Sequence, residues 1–415
     1  MTIAGRTDSR TRSGLALLAL GIVLLALCGL GAVLDPRACL AAWLTAWWFW
    51  AGPMLGAQAT LWLQRLTGGA WIAPIAIPLD RLRAAIPVLV VLILPVLAWP
   101  GPLYPWARPG WVDTAGEPAF RAVWFSHAGM ALRVLGCAAL WSVLARLDGS
   151  GRSVARRAGY AAAGLLLYAF TISLAAIDLL MSLTPQWYST AFGFVVLTAQ
   201  LKAAMAAGAW KGARGSSDAA RGDLGNLLLM YVMTWAYLAF TQFQIIWAEN
   251  LPAEISWYLP RLQGPWQIMG IALAVAGFAV PTALLLSRPF KRSVTGLRAI
   301  AALLLAVSLC ETAWWVLPSV AASVSASARP SGWHVAWMLA LALAGMGLLA
   351  RAATILFPTA SPPVARREET AASASARRDA PVASADTATR RQSTAEGSGD
   401  TQVPQRRPRE GKEHA

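Results

Sequence analysis

The chain has 415 residues, 57% of them hydrophobic and 13% charged, with mean hydropathy +0.51 and net charge +15. Soluble domains carry about 25% charged residues, so this composition excludes an ordinary soluble enzyme and implies a polytopic membrane protein. The positive charge does not point to nucleic acid, because the Arg residues sit in short loops and a tail, where the positive-inside rule and anionic lipid account for them.

The N-terminus, MTIAGRTDSRTRSG, has the charge of a signal peptide. No small-residue cleavage site follows cleanly and Asp35-Pro36 reads as a loop, so the first apolar run is predicted to stay as an uncleaved span. A spanning helix needs about 20 apolar residues. Runs at 15–34, 39–63, 84–103, 120–145, 158–181, 187–210, 224–248, 265–287, 297–318 and 332–357 predict ten such helices. Every even-numbered run ends on a basic loop: Arg65, Arg81 and Arg83 after the second, Arg146, Arg152, Arg156 and Arg157 after the fourth, Lys211, Arg214 and Arg221 after the sixth, and Arg288, Lys291, Arg292 and Arg298 after the eighth. Odd-numbered runs end on loops poor in Lys and Arg, such as LTPQ and ENLPAE. Both termini are then predicted to be cytoplasmic. The expected organisation is a cytoplasmic segment at 1–14, an all-α, ten-helix transmembrane domain at 15–358, and a disordered cytoplasmic tail at 359–415, rich in Ala, Ser, Thr, Arg, Glu, Pro and Gly. Gly52 and Gly56 form a GxxxG that permits close helix contact.

Cys28, Cys39, Cys137 and Cys310 are dispersed, with no CxxC or CxxCH, so no metal site and no covalently attached haem is expected. They read as small packing residues. Of three His residues, His127 alone lies well inside an apolar run, which argues against paired haem ligands.

A charge at the bilayer centre costs at least a few kcal/mol, so each one is a functional candidate. With the orientation fixed, His127, Asp178, Glu249 and Glu311 share one depth band on the outer side. Arg133 lies below them near mid-span and needs an anion, Asp178 or Glu311. Ser126 is seven residues from Arg133 on one helix face and is expected to look into the same space. Thr234, Tyr237, Thr241 and Gln244 fall at i, i+3, i+7 and i+10, a polar stripe suited either to carrying protons or to hydrogen-bonding between helices. Each of these residues also has a plainer reading, as an interfacial acid, a structural ion pair or a satisfied core histidine. Lys202 is expected to snorkel to the cytoplasmic side, and Asp223 to cap the seventh helix.

Five stretches carry a family resemblance: LTGGAW (66–71), LYPWA (103–107), DLLMSLTPQWYSTAFG (178–193), DLGNLLLMYVMTWAYLAFTQFQIIWAENLPAE (223–254) and ETAWWVLPS (311–319). In that order they resemble the NrfD/polysulfide-reductase membrane-subunit family, and within it the second quinone-binding-type subunits of alternative complex III. The resemblance covers roughly residues 45–320. It implies ten helices with two pseudo-symmetric four-helix bundles plus flanking helices. It implies a respiratory quinol:cytochrome c, or quinol:acceptor, oxidoreductase in the bacterial inner membrane, acting in electron transport. The implied partners are an iron–sulfur subunit, multihaem cytochrome c subunits and a paralogous membrane subunit. Quinone or quinol is the only implied ligand, bound non-covalently. By position, Arg133, Asp178, Glu311 and the pair Trp187–Tyr188 match polar family positions. Gln186 stands where the family hinge has His, and Glu249 stands where small or aromatic residues are usual.

The expected role is a quinol site or a proton path near the periplasmic side, with Asp178 or Glu311 as general base and Arg133 balancing charge. A proton- or cation-coupled secondary transporter and a purely scaffolding subunit are the alternatives. Transport is disfavoured because no helix break recurs in the two halves.

Overall fold

A computed structural model describes residues 3–111, 122–147, 154–325 and 328–357. Among them the fold is all-helical, without strands. The tail, with its predicted disorder, lies outside the described residues. Eight helices are long and apolar enough to cross a membrane, or nine if one bent pair counts as a span.

The helices are α1 (Ile3–Leu30) and α2 (Pro36–Thr67), then a broken third run of α3 (Ala76–Ala84), α4 (Val88–Leu92) and α5 (Leu94–Ala98). Pro87 and Pro95 withhold backbone donors there, and the two halves of the run meet at 45°. Next come α6 (His127–Leu147), α7 (Val154–Leu179), α8 (Phe192–Gly212) and α9 (Asp218–Glu249). The eighth run is α10 (Gly264–Ala274) and α11 (Val280–Leu286), joined by a π-helical turn. A short α12 (Arg288–Arg292) leads into α13 (Val294–Ala322), and α14 (Gly332–Leu356) closes the domain.

α2 is long but less apolar than the eight, because Trp43, Thr45, Trp47, Trp48, Gln58 and Thr60 lie along it. All six are buried, since α7, α8, α13 and α14 pack around this helix. A helix sheathed by other helices has no need of lipid-like side chains. Its start is fixed by Asp35, whose carboxylate accepts from Ala38 N at 2.9 Å and from Ser331 N at 3.0 Å, tying the starts of α2 and α14 together.

Several expected boundaries move. α1 begins at Ile3, so most of the segment at 1–14 belongs to the first helix. α9 begins at Asp218 with Ser217 as its cap, accepting from Ala220 N at 3.3 Å, so Asp223 lies inside the helix. α8 begins only at Phe192, which leaves Trp187 and Tyr188 in the hinge. Cys28, Cys39 and Cys137 are buried as expected of packing residues, but Cys310 is exposed.

α1 and α14 run antiparallel. A Cβ added at Gly345 would lie 2.8 Å from Leu25 and 3.1 Å from the Gly21 carbonyl, while Gly14 meets Leu356. The start of α1 and the end of α14 therefore share one end of the bundle. That end also carries the basic loops, where arginines satisfy terminal helix carbonyls: Arg83 Nη1 donates to Ala145 O at 2.8 Å and Arg298 Nε to Trp210 O at 3.2 Å.

α2 and α8 cross closely. A Cβ added at Gly56 would sit 2.1 Å from the Gln200 carbonyl oxygen, whereas one at Gly52 would meet only Ala203, at 3.8 Å. The GxxxG is thus used inside the chain. Gly56→Ala should lower stability by about 1–3 kcal/mol through overpacking, and Gly52→Ala should be near neutral. Thermal unfolding of the detergent-solubilised variants checks this; equal effects at the two positions would contradict the crossing.

Candidate functional site

Among the described residues the buried charges form three ion pairs, Arg83–Asp80 at the basic end, Arg133–Asp178 and Lys202–Glu311, and leave one arginine, Arg261, with neutral partners. At the end of α7, Asp178 is 2% exposed. Arg133 on α6 reaches it as a fork, Nε donating to Oδ2 at 2.9 Å and Nη2 to Oδ1 at 2.7 Å. Nη2 also donates to the Trp124 carbonyl at 2.9 Å, and the guanidinium lies 4.3 Å from the Trp124 ring centre. Bidentate geometry is the strong form of this interaction. The pair pins the hinge: Ser182 Oγ donates to the Asp178 carbonyl, and the Tyr104 hydroxyl to the Leu179 carbonyl at 3.1 Å.

Glu311 on α13 belongs to a different set. Its Oε2 is 3.3 Å from Lys202 Nζ on α8, and its Oε1 accepts from Trp235 Nε1 on α9 at 2.5 Å. Lys202 Nζ also sits 3.3 Å from the Trp235 ring centre, a cation–π contact. Lys202 is wholly buried, so the expected snorkelling does not occur. Ten residues follow it in α8, about 15 Å at helical rise, too far for its side chain to reach the helix end. That spacing is the signal which identifies it. A cavity of 20 Å³ adjoins Glu311, lined also by Trp48, Gly52, Gln200, Ser308 and Thr312. Trp48 Nε1 and Gln200 Nε2 are buried donors without partners.

Arg261, in the loop before α10, escapes notice in the sequence because YLPRL reads as surface loop. It is 1% exposed. Its partners are all neutral: Nε donates to Trp314 O at 3.0 Å, Nη1 to Trp257 O at 2.5 Å, and Nη2 to Trp315 O at 2.6 Å and Ser319 Oγ at 2.9 Å. It stacks 3.6 Å from the Trp257 ring centre. Pro318 explains the geometry, because it has no N–H to give the Trp314 carbonyl four residues back. Arg261 supplies that donor from outside the helix. Burial lowers the Arg261 guanidinium well below its ordinary range. Burial likewise raises the neighbouring Tyr258 phenol to about 12, keeping it protonated, and Gln242 Nε2 donates to its oxygen at 3.3 Å.

The remaining predicted residues scatter. His127 is exposed at the start of α6, its ring 5.9 Å from that of Trp106. Glu249 is exposed at the last position of α9. Ser126 Oγ accepts from Gly129 N at 3.1 Å and caps α6, and it shares the space beside Gly129 with Arg133 Nη1: a Cβ there would lie 2.6 Å from the hydroxyl and 3.1 Å from the guanidinium nitrogen. Trp187 is buried and stacked 4.8 Å from Trp257, while Tyr188 is exposed. In the stripe, Thr234, Tyr237 and Gln244 are exposed and Thr241 is half-buried, so it faces away from the bundle. The inward polar residue of α9 is Gln242. The expected single band of titratable groups is therefore two sets: the described contacts of Asp178 and of Glu311 share no residue.

No protein-family model matches this sequence, and no curated protein matches it.

Two outcomes follow from the geometry. Lys202→Met should cost about 3–5 kcal/mol by leaving Glu311 buried and unpaired, and adding Glu311→Leu should recover most of it; a thermodynamic cycle by thermal unfolding measures the coupling, and purely additive effects would refute the pairing. Arg261→Met should destabilise by more than about 2 kcal/mol in the native background. It should cost clearly less beside Pro318→Ala, which restores a helical donor to Trp314. An unchanged penalty would separate the arginine from the proline.

Proposed function

We propose that this chain is a ten-span membrane subunit of a respiratory quinol:acceptor oxidoreductase of the alternative complex III type, in a bacterial inner membrane, and that it contributes a proton path through Glu311. In this reading α2 and the bent α3–α5 supply the two further spans. Runs two to five and six to nine form the paired four-helix bundles, and the basic end faces the cytoplasm. The redox centres belong to iron–sulfur, multihaem cytochrome c and paralogous membrane partners.

The observation that carries the reading is the cavity beside Glu311, with its two unpartnered donors. A water in it would accept from Trp48 and Gln200 and keep its own hydrogens for the carboxylate, which is where a general base must stand. Lys202 would hold the charge balance when the proton moves. At 20 Å³ the cavity fits one water and falls far below the roughly 300–1,000 Å³ of small-molecule sites. That favours a proton path over a quinol site within this chain.

Parts of four of the five stretches that carry the family resemblance also pack against one another at the end opposite the basic loops, LTGGAW lying at the basic end. Tyr104 bonds Leu179, Thr184 Oγ1 donates to Ser319 Oγ at 3.2 Å, and Ser189 Oγ donates to Gln242 Oε1 at 3.3 Å. Their mutual contact supports treating them as one functional unit.

Purification of the tagged chain from native membranes should bring down c-type haem and iron–sulfur absorbance; a chain that migrates alone overturns the assignment. Within the assembled complex, Glu311→Gln should slow quinol-dependent cytochrome c reduction, or its coupled proton movement, at least tenfold. Unchanged rate and coupling would leave only the scaffolding role.

A further inference from the structure

We infer that the cavity between the start of α9 and α12, at the basic end, binds the headgroup of an acidic phospholipid that carries two phosphates. The cavity measures 440 Å³ and is lined by Ala219, Gly222, Asp223, Asn226, Arg288, Lys291 and Arg292. Three cations against one carboxylate leave a net charge of +2, which matches two phosphodiesters better than one. The cations are not consumed by acids: Lys291 Nζ donates to the neutral Asn226 Oδ1 at 2.6 Å, and the Arg292 carbonyl accepts from Arg221 Nε at 2.5 Å, leaving the Arg292 side chain toward Gly222. Gly222 is what opens the space, since the Arg292 Nε lies 3.5 Å from where its Cβ would be.

The surroundings select a lipid over a soluble phosphate. Asn226, Met230 and Met233 follow at i, i+4 and i+7, so one face of α9 runs from the cavity toward mid-span, and both methionines are exposed. Leu286, two residues before Arg288, is exposed as well. Thr282 Oγ1 lies 4.0 Å from Met233 Sδ, which sets α11 beside this face. A charged cavity at the helix end and an apolar groove leading from it toward mid-span form the negative image of an acidic lipid. The inference requires only that the helices span a membrane, and it stands or falls independently of the redox assignment.

Native mass spectrometry of the delipidated full chain in detergent provides the test, with tetraoleoyl cardiolipin, dioleoylphosphatidylethanolamine and sn-glycerol-3-phosphate as probes. Cardiolipin should bind at a concentration at least tenfold lower than phosphatidylethanolamine. The combined Arg288→Gln, Lys291→Gln and Arg292→Gln variant should lose that preference. Asp223→Asn should tighten cardiolipin binding, a gain that misfolding cannot imitate. Undiminished preference in the triple variant would overturn the site, and so would looser or unchanged binding in Asp223→Asn. Glycerol phosphate binding as tightly as cardiolipin would reassign the cavity to a soluble phosphate.

Discussion

Every charge that this domain withdraws from water must be answered from within the chain, because lipid offers neither counter-ion nor hydrogen bond. That constraint decides which helices must touch. Arg133 and Asp178 hold α6 to α7; Lys202, Glu311 and Trp235 hold α8, α13 and α9 together. Removing one partner of such a pair is far costlier than never having had it, since the orphaned charge stays buried. The pairs therefore specify which helices neighbour one another even if their net contribution to stability is small.

Proline sets the second constraint, and it acts at the end opposite the basic loops. Asp178 and Glu311 each precede a proline by seven residues, Pro185 and Pro318. In the first case the helix simply stops and the chain turns. In the second it continues, and the broken ladder is repaired by Arg261, which meets carbonyls where a carboxylate would be the usual partner. A guanidinium suits that task because its donors spread in a fixed plane and its face stacks on Trp257. The same local signal, an acid one or two turns ahead of a proline, thus gives a hinge in one half and a braced kink in the other.

How much of this was legible in the sequence follows from what each signal measures. Apolar run length measures the cost of exposing backbone to lipid, so of the ten expected spans it matches the eight helices long and apolar enough to cross a membrane, or nine with the bent pair. It has least force for α2, whose side chains face protein on all sides, and for the proline-broken third run. Periodicity gave the stripe of Thr234, Tyr237, Thr241 and Gln244, but a period fixes spacing and leaves phase open. The stripe faces outward while Gln242, off the stripe, turns in. Arg133 with Asp178 was legible because a buried cation needs an anion and only two were at hand. Lys202 was misread through a rule about side-chain reach that its own central position in α8 defeats. Arg261 had no signal of its own, since a charge beside a proline in a loop ordinarily faces solvent.

The division into two charge sets bears on what the interior can do. The Arg133–Asp178 fork engages both carboxylate oxygens through two charge-assisted bonds and fixes α6 against α7 at the hinge. Glu311 is held less symmetrically, by a 3.3 Å contact to an amine and one indole donor, and a 20 Å³ cavity adjoins it. A proton arriving at Glu311 weakens one long contact and leaves the Lys202 charge resting on the Trp235 ring. Of Asp178 and Glu311, Glu311 has the longer ionic contact and a cavity beside it, so the proton path proposed above rests on the packing of α2, α8 and α13 rather than on the hinge.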